Sequence, residues 1–173
     1  MIVMFVRHAD AKNDKLTKLG KRQCELMCEY EEEYKFAKIY SSPAQRCIDT
    51  AKALDKKFNI GIEVENLLKE RDQLENDVPK TEQEQLWYDN YLNPEFENDY
   101  PEGCKNYLER TFKAYRKIIN EHFDKNENAI IVAHSGTTYT LAAFIHGITK
   151  GKDIKWIRIG NCSRIYYEIK EKV

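Results

Sequence analysis

The chain opens with five apolar residues, IVMFV at residues 2–6, and Arg7 and His8 follow at once. A short apolar run rich in β-branched residues predicts a strand that is buried on both faces. The same pattern returns at residues 129–133, where AIIVA is followed by His134. In open α/β sheets the ligand crevice lies beyond the carboxyl ends of the strands, so residues that directly follow buried strands are the first candidates for a site.

The sequence between these two strands alternates between extended and helical patterns. Further strands are predicted at residues 36–41, 60–64 and 165–169. Helices are predicted at residues 18–32, 43–58, 107–123 and 137–146, with Thr17 and Ser42 as N-caps of the first two and Pro43 at the first helical position. This alternation predicts an α/β fold in one domain, residues 1–173, whose mostly parallel sheet is covered by helices on both faces.

One segment, residues 72–102, departs from the rest in composition. It has ten acidic residues against one lysine, three prolines, and the aromatic side chains of Trp87, Tyr88, Tyr91, Phe96 and Tyr100. We interpret it as an excursion from the domain with one short helix near residues 82–91. A long excursion in a compact domain is often a lid over a site.

Overall composition excludes several functional classes. The 28 basic and 29 acidic residues give a net charge of -1, which provides no electrostatic footprint for nucleic acid or an anionic membrane. The N-terminal apolar run is too short for a signal peptide or a membrane span, so we expect a soluble cytoplasmic protein. Five cysteines without a CxxC pair indicate neither a disulfide framework nor a zinc site.

The ends of the predicted strands bring together residues suited to phosphoryl transfer. Arg7 and His8, Arg46, Glu70 and His134 all lie shortly after a strand. Phosphoryl transfer needs positioned positive charge around the phosphoryl oxygens, and a guanidinium binds two such oxygens in a fixed plane. We therefore expect a small phosphorylated substrate.

A nucleophile is also required, and the chain has no Cys-x5-Arg loop, DxDx signature or clear dinuclear metal cluster. His8 is the best remaining candidate. Imidazole is nucleophilic only when neutral, so one ring nitrogen should donate to a fixed acceptor while the other faces phosphorus. The neighbouring cations Arg7 and Arg46 disfavour protonation of the ring. Glu70 would protonate the leaving oxygen and later activate water, and His134 would donate to a phosphoryl oxygen.

Five stretches, in order along the chain, resemble the motifs of one family. They are RHA at residues 7–9, LTKLGKRQ at 16–23, SSPAQR through TA at 41–51, IVAHSG at 131–136 and NCS at 161–163. Together they resemble the histidine phosphatase superfamily, the group that includes cofactor-dependent phosphoglycerate mutases.

The resemblance implies a three-layer αβα sandwich like that of phosphoglycerate mutase, a phosphohistidine intermediate on His8, and neither a metal nor another cofactor. By position it assigns phosphate binding to Arg7, Arg46 and His134 and proton transfer to Glu70. The chain departs from the family pattern at Ala11 and Asp14, where Thr and Asn are frequent, and after Glu70, where Asp72 and Glu75 are rival acids.

Four functions remain open on the sequence. We expect a phosphatase of small phosphomonoesters; the alternatives are a phosphoglycerate mutase, a protein phosphohistidine phosphatase and a non-catalytic phosphate-binding module. The short chain and the acidic excursion argue against a mutase, which has to retain a bisphosphate. The presence of His8 with a plausible acid argues against a binding module, and a carboxylate placed like Glu70 argues against a phosphohistidine phosphatase.

Overall fold

The computed structural model describes residues 1–30, 33–71, 102–147 and 159–172. Within these ranges the strands are β1 (Ile2–Arg7), β2 (Ala11–Lys12), β3 (Lys15–Leu16), β4 (Phe36–Ser41), β5 (Ile62–Val64), β6 (Asn128–Ala133) and β7 (Arg164–Glu168). The helices are α1 (Lys18–Glu29), α2 (Gln45–Phe58), α3 (Cys104–Phe123) and α4 (Ser135–His146), and a 3₁₀ turn spans Asn66–Leu68.

Five of the strands form one sheet in the order β5-β4-β6-β1-β7. Strands β5, β4, β6 and β1 run parallel, and β7 pairs antiparallel with the outer side of β1. The sheet is therefore mostly parallel, as the alternating pattern predicted. The remaining strands, β2 and β3, form a small separate hairpin that follows β1.

The sheet has a hydrophobic core on each face, because its strands point alternate side chains in opposite directions. From β1, Val3 and Phe5 join the core beneath α3 and α4, which also contains Tyr115, Ile118 and Leu141. The opposite core takes in a second set, from both the sheet and the helices α1 and α2: Met4, Val6, Met27, Ile39, Ala51, Leu54, Ile130 and Val132. This arrangement is a three-layer αβα sandwich.

Helices α1 and α2 each differ from the prediction at one end. Helix α2 begins at Gln45, not at Pro43, and Ala44 rather than Ser42 holds the N-cap position. The Ser42 hydroxyl instead lies 2.9 Å from a ring nitrogen of His134. Helix α1 has the predicted cap, since the Thr17 side chain accepts from the Gly20 amide, but it ends at Glu29.

The other elements follow their predictions closely. Strand β4 has the predicted residues, helix α3 begins one turn earlier than predicted, and β7 is displaced by one residue. Strand β5 is two residues shorter than predicted, and α4 begins two residues earlier because His134 is its N-cap. The acidic excursion and its predicted helix lie outside the described residues, apart from Glu102. Of the described helices, none is long and apolar enough to cross a bilayer.

Candidate active site

Three parallel strands end side by side at the carboxyl edge of the sheet. The His8 amide donates to the Ala133 carbonyl at 2.9 Å, and the Ser42 amide donates to the Val132 carbonyl at 2.9 Å. These bonds continue the β1–β6 and β4–β6 ladders by one residue. His8, Ser42 and His134 therefore emerge next to one another from the central three strands, as expected for a parallel sheet.

The His8 ring is held in one tautomer. Its Nδ1 lies 2.8 Å from the Ala9 carbonyl oxygen. A carbonyl oxygen can only accept, so the ring proton is on Nδ1. Nε2 then carries the lone pair, and it accepts a hydrogen bond from Nε of Arg46 at 3.2 Å. The nitrogen with the free electron pair thus faces the arginine.

Arg46 joins the two histidines. Its Nη2 lies 3.1 Å from Nδ1 of His134, and the His8 and His134 rings meet edge to face with centroids 5.3 Å apart. Because a guanidinium only donates, His134 accepts at Nδ1 and carries its proton on Nε2. That N–H is directed at the Ser42 hydroxyl oxygen.

Both rings are uncharged at neutral pH. Burial, with the nearby Arg46 and Arg7 charges, lowers the pKa of His8 from 6.5 to about 4. Burial and the Arg46 charge lower the pKa of His134, which is almost fully buried, to about 2. Desolvation and neighbouring cations both disfavour an imidazolium, so the two effects act in the same direction.

Arg7 lies at the end of β1 beside these rings, and its charge lowers the pKa of both histidines. Its Nη1 donates to the carbonyl oxygen of Ile159. The Nε atom is buried and has no hydrogen-bond partner among the described residues. A buried guanidinium N–H without an acceptor is costly, and an anion bound beside it would satisfy it.

Glu70 follows the 3₁₀ turn, and its carboxylate contacts the first turn of α4 at Gly136, two residues after His134. Its Oε2 accepts from the Gly136 amide at 3.0 Å. Its Oε1 accepts from the Tyr107 hydroxyl at 2.9 Å and from the Arg71 amide at 3.1 Å. Burial raises the pKa of the carboxyl group, and the three donors oppose that rise.

The segment that carries Glu70 is tied down by Arg110 of α3. Its Nη1 donates to the carbonyl oxygens of Leu67 at 2.7 Å and Lys69 at 2.6 Å. The guanidinium also pairs with both carboxylate oxygens of Glu102, at 2.5 and 2.6 Å. A bidentate pair that is largely shielded from solvent holds its geometry well, so the backbone before Glu70 has a fixed support. The rival acids Asp72 and Glu75 lie outside the described residues.

A second carboxylate, that of Asp14, reaches the site from the β2–β3 hairpin. Its Oδ1 lies 2.6 Å from Nη1 of Arg46, and its Oδ2 accepts from the Gln45 amide at 2.9 Å. Sequence reasoning singled out Asp14 only as a departure from a motif. The structure makes it a direct partner of Arg46.

Three further residues fix the backbone around His8, which directly follows β1. The Thr50 hydroxyl accepts from the Ala9 amide at 3.0 Å and donates to the Arg46 carbonyl at 2.7 Å. The Asn161 side chain donates to the His8 carbonyl at 2.9 Å, and the Cys162 amide donates to the Arg7 carbonyl at 3.0 Å. Thr50, Asn161 and Cys162 belong to motifs noted in the sequence, but their type and spacing gave no indication of these contacts.

The sequence-predicted set is thus brought together. His8, Arg46 and His134 are in direct contact, and Arg7 lies beside them. The Glu70 carboxylate accepts a hydrogen bond from the turn after His134, at Gly136. Two neutral imidazoles, two guanidiniums and a carboxyl group of raised pKa suit binding and transfer of an oxyanion group. Among the described residues, no three His, Cys, Asp or Glu side chains come together as metal ligands.

Comparison with known proteins identifies the family of this fold. A family model described as the histidine phosphatase superfamily (branch 1) matches residues 3–173. A search of curated protein sequences gave no significant match.

Solved structures share the fold at low sequence identity. A mycobacterial glucosyl-3-phosphoglycerate phosphatase superposes with a TM-score of 0.78 at 17% identity, covering 95% of this chain and 88% of the other. The protein YhfR of Bacillus stearothermophilus gives 0.79 at 18% identity, with 99% and 92% coverage. The α-ribazole phosphatase of Shigella flexneri gives 0.78 at 16% identity, with the same coverage of 99% and 92%. Likeness at such identity shows a shared fold.

Proposed function

This chain belongs to the histidine phosphatase superfamily, and from that premise we propose that it is a phosphatase that hydrolyses small phosphomonoesters through a phosphohistidine on His8. The observation that carries the proposal is the state of the His8 ring. Its proton is held on Nδ1 by the Ala9 carbonyl, and its pKa of about 4 keeps the Nε2 lone pair available at neutral pH. A neutral, oriented imidazole is what nucleophilic catalysis by histidine requires.

In the first step, Nε2 of His8 attacks phosphorus and the bond from phosphorus to the ester oxygen breaks. Arg46 and Arg7 bind the phosphoryl oxygens, since both guanidiniums lie beside the ring and the Arg7 Nε has no partner among the described residues. The leaving oxygen takes a proton from Glu70, whose raised pKa favours the acid form. The product is an alcohol, and the phosphoryl group remains on His8.

In the second step, water attacks the phosphohistidine. The carboxylate left on Glu70 accepts a proton from the water, the bond between phosphorus and Nε2 breaks, and inorganic phosphate leaves. One carboxyl group can serve both steps because it gives up its proton in the first and recovers one in the second. The free enzyme is then restored.

His134 contributes as a hydrogen-bond donor to the phosphoryl group. In the free protein its Nε2–H points to Ser42, and its Nδ1 accepts from Arg46. When Arg46 turns its donors to a phosphoryl group, Nδ1 loses its donor and takes up a proton from solvent, while Nε2 keeps its own proton on Ser42. The negative charge of the phosphoryl group favours the imidazolium, and its Nδ1–H donates to a phosphoryl oxygen in the transition state.

The direct test is to trap the phosphoenzyme. Wild type incubated with ³²P-labelled p-nitrophenyl phosphate and quenched in alkali should retain label that is lost in acid, the stability pattern of a phosphoramidate. His8→Ala should retain none, while a His146→Ala control on α4 keeps the label. Label retained by His8→Ala would show that the nucleophile is elsewhere.

The alternative functions are separated by substrate. We expect release of phosphate from simple esters, no bisphosphate-dependent turnover of phosphoglycerate, and ester hydrolysis that depends on Glu70. If wild type hydrolyses phosphohistidine but no ester, and Glu70→Gln retains that activity, the protein is a phosphohistidine phosphatase. Assays with and without a chelator test whether a metal takes part.

A further inference from the structure

Asp14 is placed by a tight turn at the tip of the β2–β3 hairpin. Asn13 and Asp14 both have left-handed backbone angles, with φ of 48° and 61°. Asn and Asp adopt this region more readily than other residues with a side chain. The turn carries the Asp14 carboxylate across to the N-terminus of α2, which lies about thirty residues later in the chain.

At that position the carboxylate accepts three hydrogen bonds. Its Oδ2 accepts from the Gln45 amide at 2.9 Å, and its Oδ1 accepts from the Arg46 amide at 3.4 Å and from Arg46 Nη1 at 2.6 Å. Amides at a helix N-terminus together with a guanidinium are the usual donors for a bound phosphate. Asp14 thus takes up donors that a substrate phosphoryl group would use.

The remaining nitrogens of Arg46 are also engaged. Nε donates to His8 and Nη2 lies against His134. Every nitrogen of the guanidinium therefore has a partner within the protein. The guanidinium has five N–H donors, and these contacts use three of them. A phosphoryl group that takes any of those three must displace a partner, and among the partners the side chain that carries a negative charge is Asp14.

Charge makes Asp14 the partner to be displaced. Partial desolvation raises the pKa of Asp14, but the hydrogen bonds from the Gln45 and Arg46 amides and the Arg46 side chain outweigh it, so the pKa lies below its ordinary value. The carboxylate is ionised at neutral pH. Like charges held at close range repel, whereas His8 and His134 are neutral and have no such repulsion from an arriving phosphoryl group.

We propose that Asp14 is an internal competitor for the substrate, whose carboxylate occupies Arg46 and the N-terminal amides of α2 in the free protein and is displaced when a phosphoryl group binds. The inference rests on the proposed function, because it takes Arg46 as a ligand of the phosphoryl group. It makes Asp14 a residue that sets affinity: the protein binds phosphate more weakly than its two arginines would allow.

The opposite role would be positioning, in which the carboxylate holds Arg46 in place for the substrate. The two roles predict opposite signs. A competitor, once removed, leaves tighter binding of phosphate; a positioning residue, once removed, leaves weaker binding.

Two variants remove the charge without disturbing the turn. Asp14→Asn keeps the shape and an acceptor oxygen, and Asp14→Gly removes the side chain altogether; both residue types adopt positive φ readily. The matched control is Asp124→Asn. This is the same chemical change at an exposed residue that pairs with Lys172. Asp124 precedes β6 and therefore lies toward the opposite edge of the sheet.

The probe is inorganic phosphate, with its Kd measured by titration calorimetry. A unit charge about 6 Å from the bound anion, in an effective dielectric constant of about 40 for a half-exposed group, corresponds to about a tenfold change in Kd. We expect Asp14→Asn and Asp14→Gly to bind phosphate about tenfold more tightly than wild type, and Asp124→Asn to bind it like wild type.

Two results would overturn the proposal. If wild type binds phosphate and the Asp14 variants bind it equally or less tightly, Asp14 is not a competitor, and the proposed function is untouched. If neither wild type nor the Asp14 variants bind phosphate, the phosphate site itself is wrong, and both proposals fail together.

Hydrogen exchange gives an independent reading of the displacement. Saturating phosphate should speed exchange of the amides of the hairpin, residues 11–16, in wild type, because the released carboxylate no longer ties the hairpin to α2. Slower exchange in the hairpin would mean that Asp14 keeps its contacts while phosphate is bound, and would contradict displacement.

Discussion

Gly136→Ala tests the role of Glu70 without touching its carboxyl group. A methyl group built at Gly136 would lie 2.4 Å from Oε1 of Glu70 and 2.9 Å from both Cδ and Oε2. An ordinary contact begins at 3.4 Å, so the carboxylate must retreat by about 1 Å. It cannot do so and keep its hydrogen bond from the Gly136 amide.

A displacement of this size has a predictable effect on the rate. Misplacing a reacting group by about 1 Å can cost on the order of 100-fold, and loss of a general acid costs about 10²–10⁴-fold. We therefore expect kcat for an alkyl phosphate to fall at least about 100-fold in Gly136→Ala. The loss should be smaller for p-nitrophenyl phosphate, because nitrophenolate leaves without a proton. The Kd for inorganic phosphate should change little, since the arginines are not moved.

Gly136→Ala is not expected to destabilise the fold, and a second glycine provides the control. Gly136 lies in the first turn of α4, where Ala is a better helix former than Gly by up to about 1 kcal/mol, so a loss of activity would not come from a weaker helix. Gly103→Ala is the matched substitution, because a methyl group there meets nothing within 4 Å. It should leave kcat unchanged.

A double mutant shows whether the effect passes through Glu70. If it does, Gly136→Ala combined with Glu70→Gln should be no slower than Glu70→Gln alone. The reasoning is refuted if Gly136→Ala keeps kcat within a few-fold of wild type on an alkyl phosphate, or if its loss multiplies with that of Glu70→Gln.

Three shorter predictions concern the histidines and the acid. Rapid-quench measurement of enzyme phosphorylation should show a rate that falls as pH drops through about 4, where His8 gains a proton and loses its lone pair, and an acid limb near 6.5 would contradict this. Ser42→Ala removes the hydroxyl beside the Nε2–H of His134, so urea denaturation should show a loss of about 1–3 kcal/mol; a loss under about 0.5 kcal/mol would mean that the hydroxyl is dispensable. Tyr107→Phe removes a donor that lowers the pKa of Glu70, so the pKa rises further and the alkaline limb of the pH profile for ester hydrolysis moves to higher pH, whereas a shift to lower pH would be inconsistent with that hydrogen bond.

Local sequence patterns predicted most of the strands and helices, because burial of a segment leaves its own spacing of apolar residues. The apolar runs of β1 and β6 and the helical spacing of α3 reflect burial, which each segment records in its own residues. The start of α2 was wrong for a non-local reason. Ser42 has the composition of an N-cap, but its hydroxyl pairs with His134, and the cap of α2 comes from Asp14.

The part of the site that follows from the fold class was also predicted, and the contacts that depend on tertiary packing were not. His8 and His134 were found because parallel strands end at one edge, a property of the fold class rather than of the individual side chains. Tyr107 was predicted only as the first residue of the helix at residues 107–123, and its hydroxyl proves to bind Glu70. The close approach of Gly136 to that carboxylate is equally invisible in the sequence, because it depends on how α4 packs against the turn after β5.

Arg46 makes these separate contacts into one unit. In the free protein its three nitrogens hold His8 with its lone pair oriented, His134 with its proton turned away, and the Asp14 carboxylate. A phosphoryl group that takes any of these three N–H donors breaks such a contact, so part of the interaction energy is lost from affinity. Exchange at Nε releases the His8 lone pair, and exchange at Nη2 frees Nδ1 of His134 to carry a proton as phosphorus arrives. An arginine that is already paired with both histidines therefore weakens binding of the ground state, and the donors that it directs at the histidines become available to the phosphoryl group only when the nucleophile does.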